Sequence, residues 1–290
     1  MASNIHPVFR QGATALITGA ASGIGLLTAQ LCYSRGMNLV LLDKNETALA
    51  QTTKQFPTTN SSKTTTHVMD VSSISAWQNL AQQAKGLYPQ GIDFLMLNAG
   101  AGPTPAEGLT QWEDAHYFAR TFAINTLGYT NGLASFLGTV TGAKDIPRAI
   151  VLTGSKQGIT NPPSNPAYNA SKAAVRTIAE HLAFDLAETA PNVSVHLLIP
   201  GWTYTGFHTE TFKEKPDGAW TSEQVVGFMD RKMAEDVFYI LCPDNEVTED
   251  LDKRRIRWAS DDIIYGRPPL TRWRNGWKDI AQRGIAELQL

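Results

Sequence analysis

The chain has 290 residues, enough for one large α/β domain or two small ones. With 42% apolar and 18% charged residues it is no disordered polymer, and a net charge of −2 argues against binding nucleic acid or an anionic membrane by global attraction. No apolar run approaches the roughly 20 residues that span a bilayer, and residues 1–11 lack the apolar segment of a secretion signal, so a cytoplasmic protein is expected.

Residues 13–18 read as a strand, and a helix follows over 23–35. Between them stands Thr18-Gly19-Ala20-Ala21-Ser22-Gly23-Ile24-Gly25. Glycines there permit a tight turn and close backbone approach to a pyrophosphate, and the helix N-terminus supplies N–H groups and a positive dipole end. The loop therefore reads as a dinucleotide cradle, with a glycine-rich packing turn as the alternative. Residues 38–42 form a second strand ending at Asp43, eighteen residues beyond Gly25. A carboxylate there can accept from both adenosine ribose hydroxyls and would repel a 2′-phosphate. With Ser22 in place of a basic loop residue, this favours NAD over NADP. Lys44 next door keeps NADP possible, and a turn or capping role for Asp43 is the alternative.

A helix is expected over 46–55, a strand over 66–69, a helix over 73–85 and a strand over 94–98. Helices over 111–123 and 125–140, then a strand over 148–153, lead to the helix carrying Tyr168. A strand over 193–198, a helix over 222–234 and a strand over 237–241 complete the regular part. Apolar strands separated by helices indicate a doubly wound, Rossmann-like parallel sheet of about seven strands covered on both faces. No repeat or Pro/Gly/Ser linker divides the chain, so residues 1–290 are expected to form one domain. Cys32 and Cys242 lack CxxC spacing and read as buried thiols. No His/Cys/carboxylate spacing suggests a metal.

In Tyr168-Asn169-Ala170-Ser171-Lys172 a phenol and an ammonium lie four apart, on one helix face. A free tyrosine, with a pKa of about 10, is a poor base near neutrality. A nearby cation favours the phenolate. The pair alone is weak evidence. In company with the glycine loop it points to proton transfer beside a dinucleotide.

Over residues 10–242 the chain resembles the short-chain dehydrogenase/reductase family. TGAASGIG, Asp43, Asp70-Val71, Asn98-Ala99-Gly100, Asn125, Ser155, Tyr168/Lys172 and Pro200-Gly201 occur in the family's order, with Ser155 thirteen residues before Tyr168. The resemblance implies Tyr168 as general acid/base, Ser155 as donor to the substrate oxygen, and Lys172 on the nicotinamide ribose. It implies Asn125 as anchor of a water that connects Lys172 to solvent. It places Asp70 and Val71 at the adenine, Asn98, Ala99 and Gly100 beneath the adenosine ribose, and Pro200, Gly201, Thr205 and alternatively Thr203 beside the nicotinamide. The expected reaction interconverts a secondary alcohol and a ketone with NAD(H). An NADPH-dependent ketoreductase and a silent dinucleotide-binding regulator are the alternatives. The resemblance also implies a homodimer or homotetramer, commonly through the helices of Asn125 and Tyr168.

Three departures stand out. Gly154 replaces a serine common in the family, and Lys156 and Gln157 read as long polar side chains toward the site region, placing Gln157 at a polar or anionic substrate group, with a solvated loop as the alternative. Residues 202–222 fall where the family carries its substrate loop, and Trp202, Tyr204, Phe207, Phe212 and Trp220 suggest an aromatic lid or aromatics packing the loop onto the body. His208 beside it reads as structural. From 243 to 290 the chain is atypical. Residues 253–283 hold nine Lys/Arg against three Asp, interleaved with Trp258, Trp273 and Trp277. Such interleaving can mark nucleic-acid binding, but the net charge argues against it, and the tryptophans are expected to anchor this tail on the body or on a neighbouring subunit.

Overall fold

The computed structural model describes residues 5–59, 62–205 and 213–290. One seven-stranded sheet is built from β1 (Thr14–Thr18), β2 (Asn38–Asp43), β3 (Thr64–Val68), β4 (Phe94–Leu97), β5 (Arg148–Thr153), β6 (Val193–Ile199) and β9 (Tyr239–Leu241). All neighbours pair parallel in the order β3-β2-β1-β4-β5-β6-β9. A separate parallel pair, β7 (Thr203–Tyr204) and β8 (Trp220–Thr221), lies between β6 and β9 in the chain.

Alternation along each central strand sends side chains to two apolar layers. Leu16, Leu42, Leu97 and Leu152 face one, and Ile17, Leu41, Met96 and Val151 the other. Helices α1 (Gly23–Ser34), α2 (Glu46–Thr53) and α8 (Ser222–Ala234) cover the second face through Ala29, Leu49 and Met229. On the first face lie α3 (Ile74–Leu87), α5 (Gly128–Thr141) and α7 (Pro166–Thr189), which bring Trp77, Phe136 and Val175. Trp77 is fully buried edge-on to Phe136, and its indole N–H donates to the Val71 carbonyl at 2.8 Å. A buried aromatic of this kind removes roughly 150–250 Å² from water, about 4–6 kcal/mol of gross stabilisation before ordering entropy.

Several expected bounds shift, among them the strand expected over 237–241, which begins at Tyr239. β3 begins at Thr64 rather than 66, because Thr64 and Thr65 already pair with Leu39 and Val40. The helix expected from 111 starts only as α4 (Tyr117–Phe122). Asp114 holds the preceding residues in turns by accepting from Ala106 N, His116 N and the Arg120 guanidinium. A π-helical turn, Ala123–Leu127, then joins α4 to α5. The single turn α6 (Gln157–Thr160) precedes α7.

The tail is folded. Thr248 caps α9 (Glu249–Ile264), and the acidic first turn Glu249, Asp250 and Asp252 complements the helix dipole. With α10 (Lys278–Glu287) it encloses a small core of Trp258, Ala281 and Ile285. Gly284 is required there, since a Cβ would collide with the Trp258 ring.

Strand order reverses beside β1: β2 and β3 lie on one side, β4 to β9 on the other. In open α/β sheets ligands bind at the carboxyl ends of the strands flanking such a switch point.

Candidate active site

The loops after β1 and β4 meet at this point. Thr18 Oγ1 accepts from the backbone N–H groups of Asn98 (2.8 Å) and Ala99 (2.9 Å), and Asn98 Nδ2 donates to the Thr18 carbonyl at 3.1 Å. Gly19 and Gly23 adopt φ of +64° and +54°, which only glycine takes without strain. A Cβ on Gly25 would collide with the Gly19 carbonyl oxygen, so the loop closes on itself. Ser22 is the N-cap of α1 but makes no side-chain cap, and Ile24 is buried behind it. Asp43 holds this arrangement. Its carboxylate accepts from Ala21 N at 3.1 Å and from Asn45 N at 2.9 Å. Asp43 thus holds a turn at the cradle's edge, while the N-cap of α2 is Asn45, whose side chain accepts from Ala48 N.

Asp70 lies exposed at the rim, held below its ordinary value by the Ser72 backbone and hydroxyl and by the charge of Lys44. Val71 is buried against Gly128, and its carbonyl is occupied by Trp77. Gly100 packs beside Asn125 and Lys172, since a Cβ there would lie 3.5 Å from Asn125 Oδ1 and 3.6 Å from Lys172 Nζ. Thr205 presses its side chain on Gly23, where a Cβ would come within 3.1 Å.

Pro166 at the start of α7 fixes the first turn, so Tyr168 and Lys172 stand one turn apart inside the fold. Ser155, just beyond β5, hydrogen-bonds the Tyr168 hydroxyl. The Gln157 backbone N–H donates to Ser155 Oγ at 3.2 Å. Lys172 Nζ donates to the Thr153 carbonyl at 2.8 Å and to Tyr129 OH at 3.2 Å, and lies 5.9 Å from the centre of the Tyr168 ring. No carboxylate pairs with this buried amine among the described residues. Burial lowers its pKa to about 7. Burial also raises the Tyr168 phenol, with the Ser155 hydrogen bond opposing.

Asn125 sits in the π turn and is fully buried. Its side chain accepts from Ala101 N (2.8 Å) and donates to Ala101 O (2.9 Å) and Ser171 Oγ (3.1 Å). Both amide protons are thus committed to holding the Asn98–Ala101 stretch against α7, which leaves that side chain a positioning task. Tyr129 and Ser171 were not singled out in the sequence. The signal for Tyr129 was its place four residues after Asn125, and for Ser171 its neighbour Lys172.

Pro200 and Gly201 follow β6, and Thr203 is buried with its hydroxyl donated to the Gly201 carbonyl at 3.1 Å. Gln157 is exposed at the start of α6, and Trp202 and Tyr204 are half-buried at the base of the loop. Trp220 donates its backbone N–H to the Trp202 carbonyl at 2.8 Å and turns its ring onto Phe228 of α8, so this aromatic packs on the body. Phe207, His208 and Phe212 lie outside the described residues.

Lys156 departs from expectation. Its side chain, 13% exposed, is held between two buried carboxylates, Asp244 Oδ2 at 3.1 Å and Asp252 Oδ2 at 2.5 Å, rather than aimed at the site. The tail's basic residues are also internally engaged. Trp258 donates to Thr271 Oγ1 at 2.7 Å beneath the Arg267 guanidinium, 4.2 Å from the ring, and Arg272 lies 4.4 Å over Trp273. At the far end of the sheet His6, His196 and Asp236 come within 4.8 Å of one another, a grouping no local spacing reveals. The histidine nitrogens are already engaged there, by Val8 N, Ser194 Oγ and the Val237 carbonyl.

A family model described as short chain dehydrogenase matches residues 13–216. An uncharacterised oxidoreductase of Listeria monocytogenes is 29% identical over 80% of this chain and 91% of its own length. Galactitol 2-dehydrogenase (L-tagatose-forming) of Cereibacter sphaeroides is 30% identical over 72% of this chain and 79% of its own. Among solved structures, a short-chain dehydrogenase/reductase from Burkholderia phymatum in complex with NAD superposes with a TM-score of 0.77 and 30% identity, covering 90% of this chain and 97% of that one. The chain belongs to the short-chain dehydrogenase family.

Proposed function

We propose that this protein is an NAD(H)-dependent oxidoreductase interconverting a secondary alcohol and a ketone, with Tyr168 as the acid/base. The observation that carries the reading is the Ser155–Tyr168–Lys172 group, its lysine buried, beside a glycine-lined cradle at the strand ends. The cradle fits a dinucleotide on its own chemistry. Its glycines exclude side chains from the loop, and α1 presents its N-terminus there. The buried amine of Lys172 has no acidic partner among the described residues, which suits it to ribose hydroxyls and to a phenolate.

In this reading Gly19, Ser22, Gly23 and Ile24 hold the pyrophosphate, Asp43 the adenosine ribose, and Asp70 and Val71 the adenine. Asn98, Ala99 and Gly100 line the ribose, Lys172 binds the nicotinamide ribose, and Pro200, Gly201, Thr203 and Thr205 border the ring. When bound, the nicotinamide accepts or supplies the hydride. The chain supplies position and proton transfer. Ser155 and Tyr168 hold the substrate oxygen between two hydroxyls. In oxidation Tyr168 takes the hydroxyl proton, and in reduction it returns one. Burial disfavours a lone phenolate and a lone ammonium, so the low-energy route charges Tyr168 and Lys172 together as a pair. Gln157, Trp202 and Tyr204 line the substrate side.

The alcohol/ketone assignment also draws on the relative named galactitol 2-dehydrogenase (L-tagatose-forming), and the NAD assignment on the neighbour solved with NAD. Leu127 and Phe184, 53% and 78% exposed on the Asn125 and Tyr168 elements, support assembly into a homodimer or homotetramer through those helices.

NADH formation on a panel of linear, cyclic and aromatic secondary alcohols tests the reaction. Turnover of at least one is expected, and none with either dinucleotide would overturn it. Fluorescence titration tests the cofactor, with tighter binding of NADPH than NADH counting against NAD.

A further inference from the structure

We infer that Lys156, gripped by Asp244 and Asp252, is a positioning residue through which the C-terminal extension completes the active site. The inference rests on the reading of that site given above. Lys156 adjoins Ser155, and its ammonium bridges two segments from the end of the chain. Asp244 follows β9, and Asp252 lies in the first turn of α9. Each contact reaches an element that borders the reaction. Asp244 Oδ2 also accepts the backbone N–H of Trp202 at 3.2 Å, and Lys156 N donates to the Pro200 carbonyl at 3.3 Å. The ion pair packs directly on Gly201, where a Cβ would lie 2.7 Å from both Asp244 Oδ2 and Lys156 Nζ. On the other side α6 is pressed onto the catalytic helix. A Cβ on Gly158 would come within 2.6–2.8 Å of the Lys172 and Ala173 backbone.

One lysine thus sets the spacing of Ser155 and the Pro200–Trp202 turn, and the charges that hold it lie 88 and 96 residues further along. Two carboxylates share the one ammonium, with Arg255 4.0 Å from Asp252 as further compensation. A surface interaction in this place would contribute little. With both carboxylates buried, it resists displacement, because removing the lysine would strand two charges away from water. Charge alone is dispensable for folding in such a group if every member is neutralised at constant volume. That separates positioning from stability.

The test uses the full chain and three variants: K156M/D244N/D252N, which removes all three charges with little change in volume; D252N alone; and K156R. K253M, which breaks the exposed Glu249–Lys253 pair of the same helix, is the control. Folding is checked by circular dichroism and Tm, and kcat, KM and NADH affinity are measured with the emission of bound NADH. The folded triple variant is expected to lose about ten- to a hundredfold in kcat, the cost of a misplacement near 1 Å. Its NADH Kd should change little, while the emission of bound NADH falls as the nicotinamide end loosens. D252N should show an intermediate loss, K156R should recover most of the rate, and K253M should match wild type. A folded triple variant with wild-type kcat and emission would overturn the inference. If the triple variant does not fold, D252N carries the same comparison. If wild type turns over no alcohol, the proposed reaction falls, and the emission of bound NADH still decides the positioning role.

Discussion

At the amino ends of the strands, Asp93 accepts from Thr14 N at 2.8 Å and from Arg10 at 2.7 Å, and forms an ion pair with Arg148 at 3.3 Å. Arg148, 1% exposed, donates further to the Thr139, Val140 and Gln90 carbonyls. Beside it His6, Ser194 and His196 form a chain of hydrogen bonds between neutral rings. At the carboxyl ends a buried lysine has only a carbonyl and a phenol for partners, next to a second phenol whose ionisation burial opposes. Both ends bury ionisable groups beneath the same sheet. At the amino end Arg148 and Asp93 compensate each other's charge, whereas at the carboxyl end Lys172 has no acid beside it among the described residues. Buried charge that is fully paired serves the fold, while buried charge without its counter-charge marks where binding energy can be used.

Substitutions should separate the two ends by what they damage. Tyr168→Phe removes the transferable proton and should lower turnover by about 10²–10⁴-fold, with Tm and NADH affinity nearly unchanged. Substantial residual turnover would assign the proton to another group. Asp93→Ala should do the reverse, costing about 3–5 kcal/mol in denaturant unfolding because it strands Arg148. Turnover per folded molecule should stay intact, and a kinetic defect there would break the comparison.

A pH titration of stability sharpens it further. Lys172 is lowered from 10.5 to about 7, so between those values the unfolded chain binds a proton that the folded chain does not. Its contribution therefore makes the protein more stable as pH rises through that window. Lys172→Met should flatten this rise in Tm, and an unchanged slope would mean that the amine is not held neutral. The smallest effect is expected at His6, lowered from 6.5 to about 4 mainly by burial and then by His196. Here stability is lost as pH falls from 6.5 toward 4, because the unfolded ring takes the proton first. His6→Gln should reduce that loss, and identical acid profiles would count against the neutral chain.

Much of the carboxyl end was legible in the residue order. Local motifs carry their own geometry: a glycine loop between strand and helix, Asp43 at a strand end, and Tyr168 with Lys172 on one helix face all follow from short spacings. Ser155 to Tyr168 was legible only through the resemblance to a family. The salt bridge of Lys156 was not, because its partners are distant in the chain and a lysine beside Ser155 reads equally well as a substrate contact. Trp220 shows the same limit, since an aromatic in a lid sequence can face either the pocket or the body. The tail's helices went unpredicted although Thr248 and its acidic first turn form a local start signal.

By itself the sequence determined the parallel α/β fold and the local motifs at its strand ends, the glycine loop and the Tyr168/Lys172 helix face among them, because periodicity and short-range stereochemistry act within a few residues. Only the tertiary structure decided which charges are paired. It gave Lys156 to Asp244 and Asp252, clamped Asn125 onto Ala101 and Ser171, and left Lys172 without an acid. The physical reason is that the energy of a charge is set by what surrounds it after packing, and packing brings together residues from opposite ends of the chain.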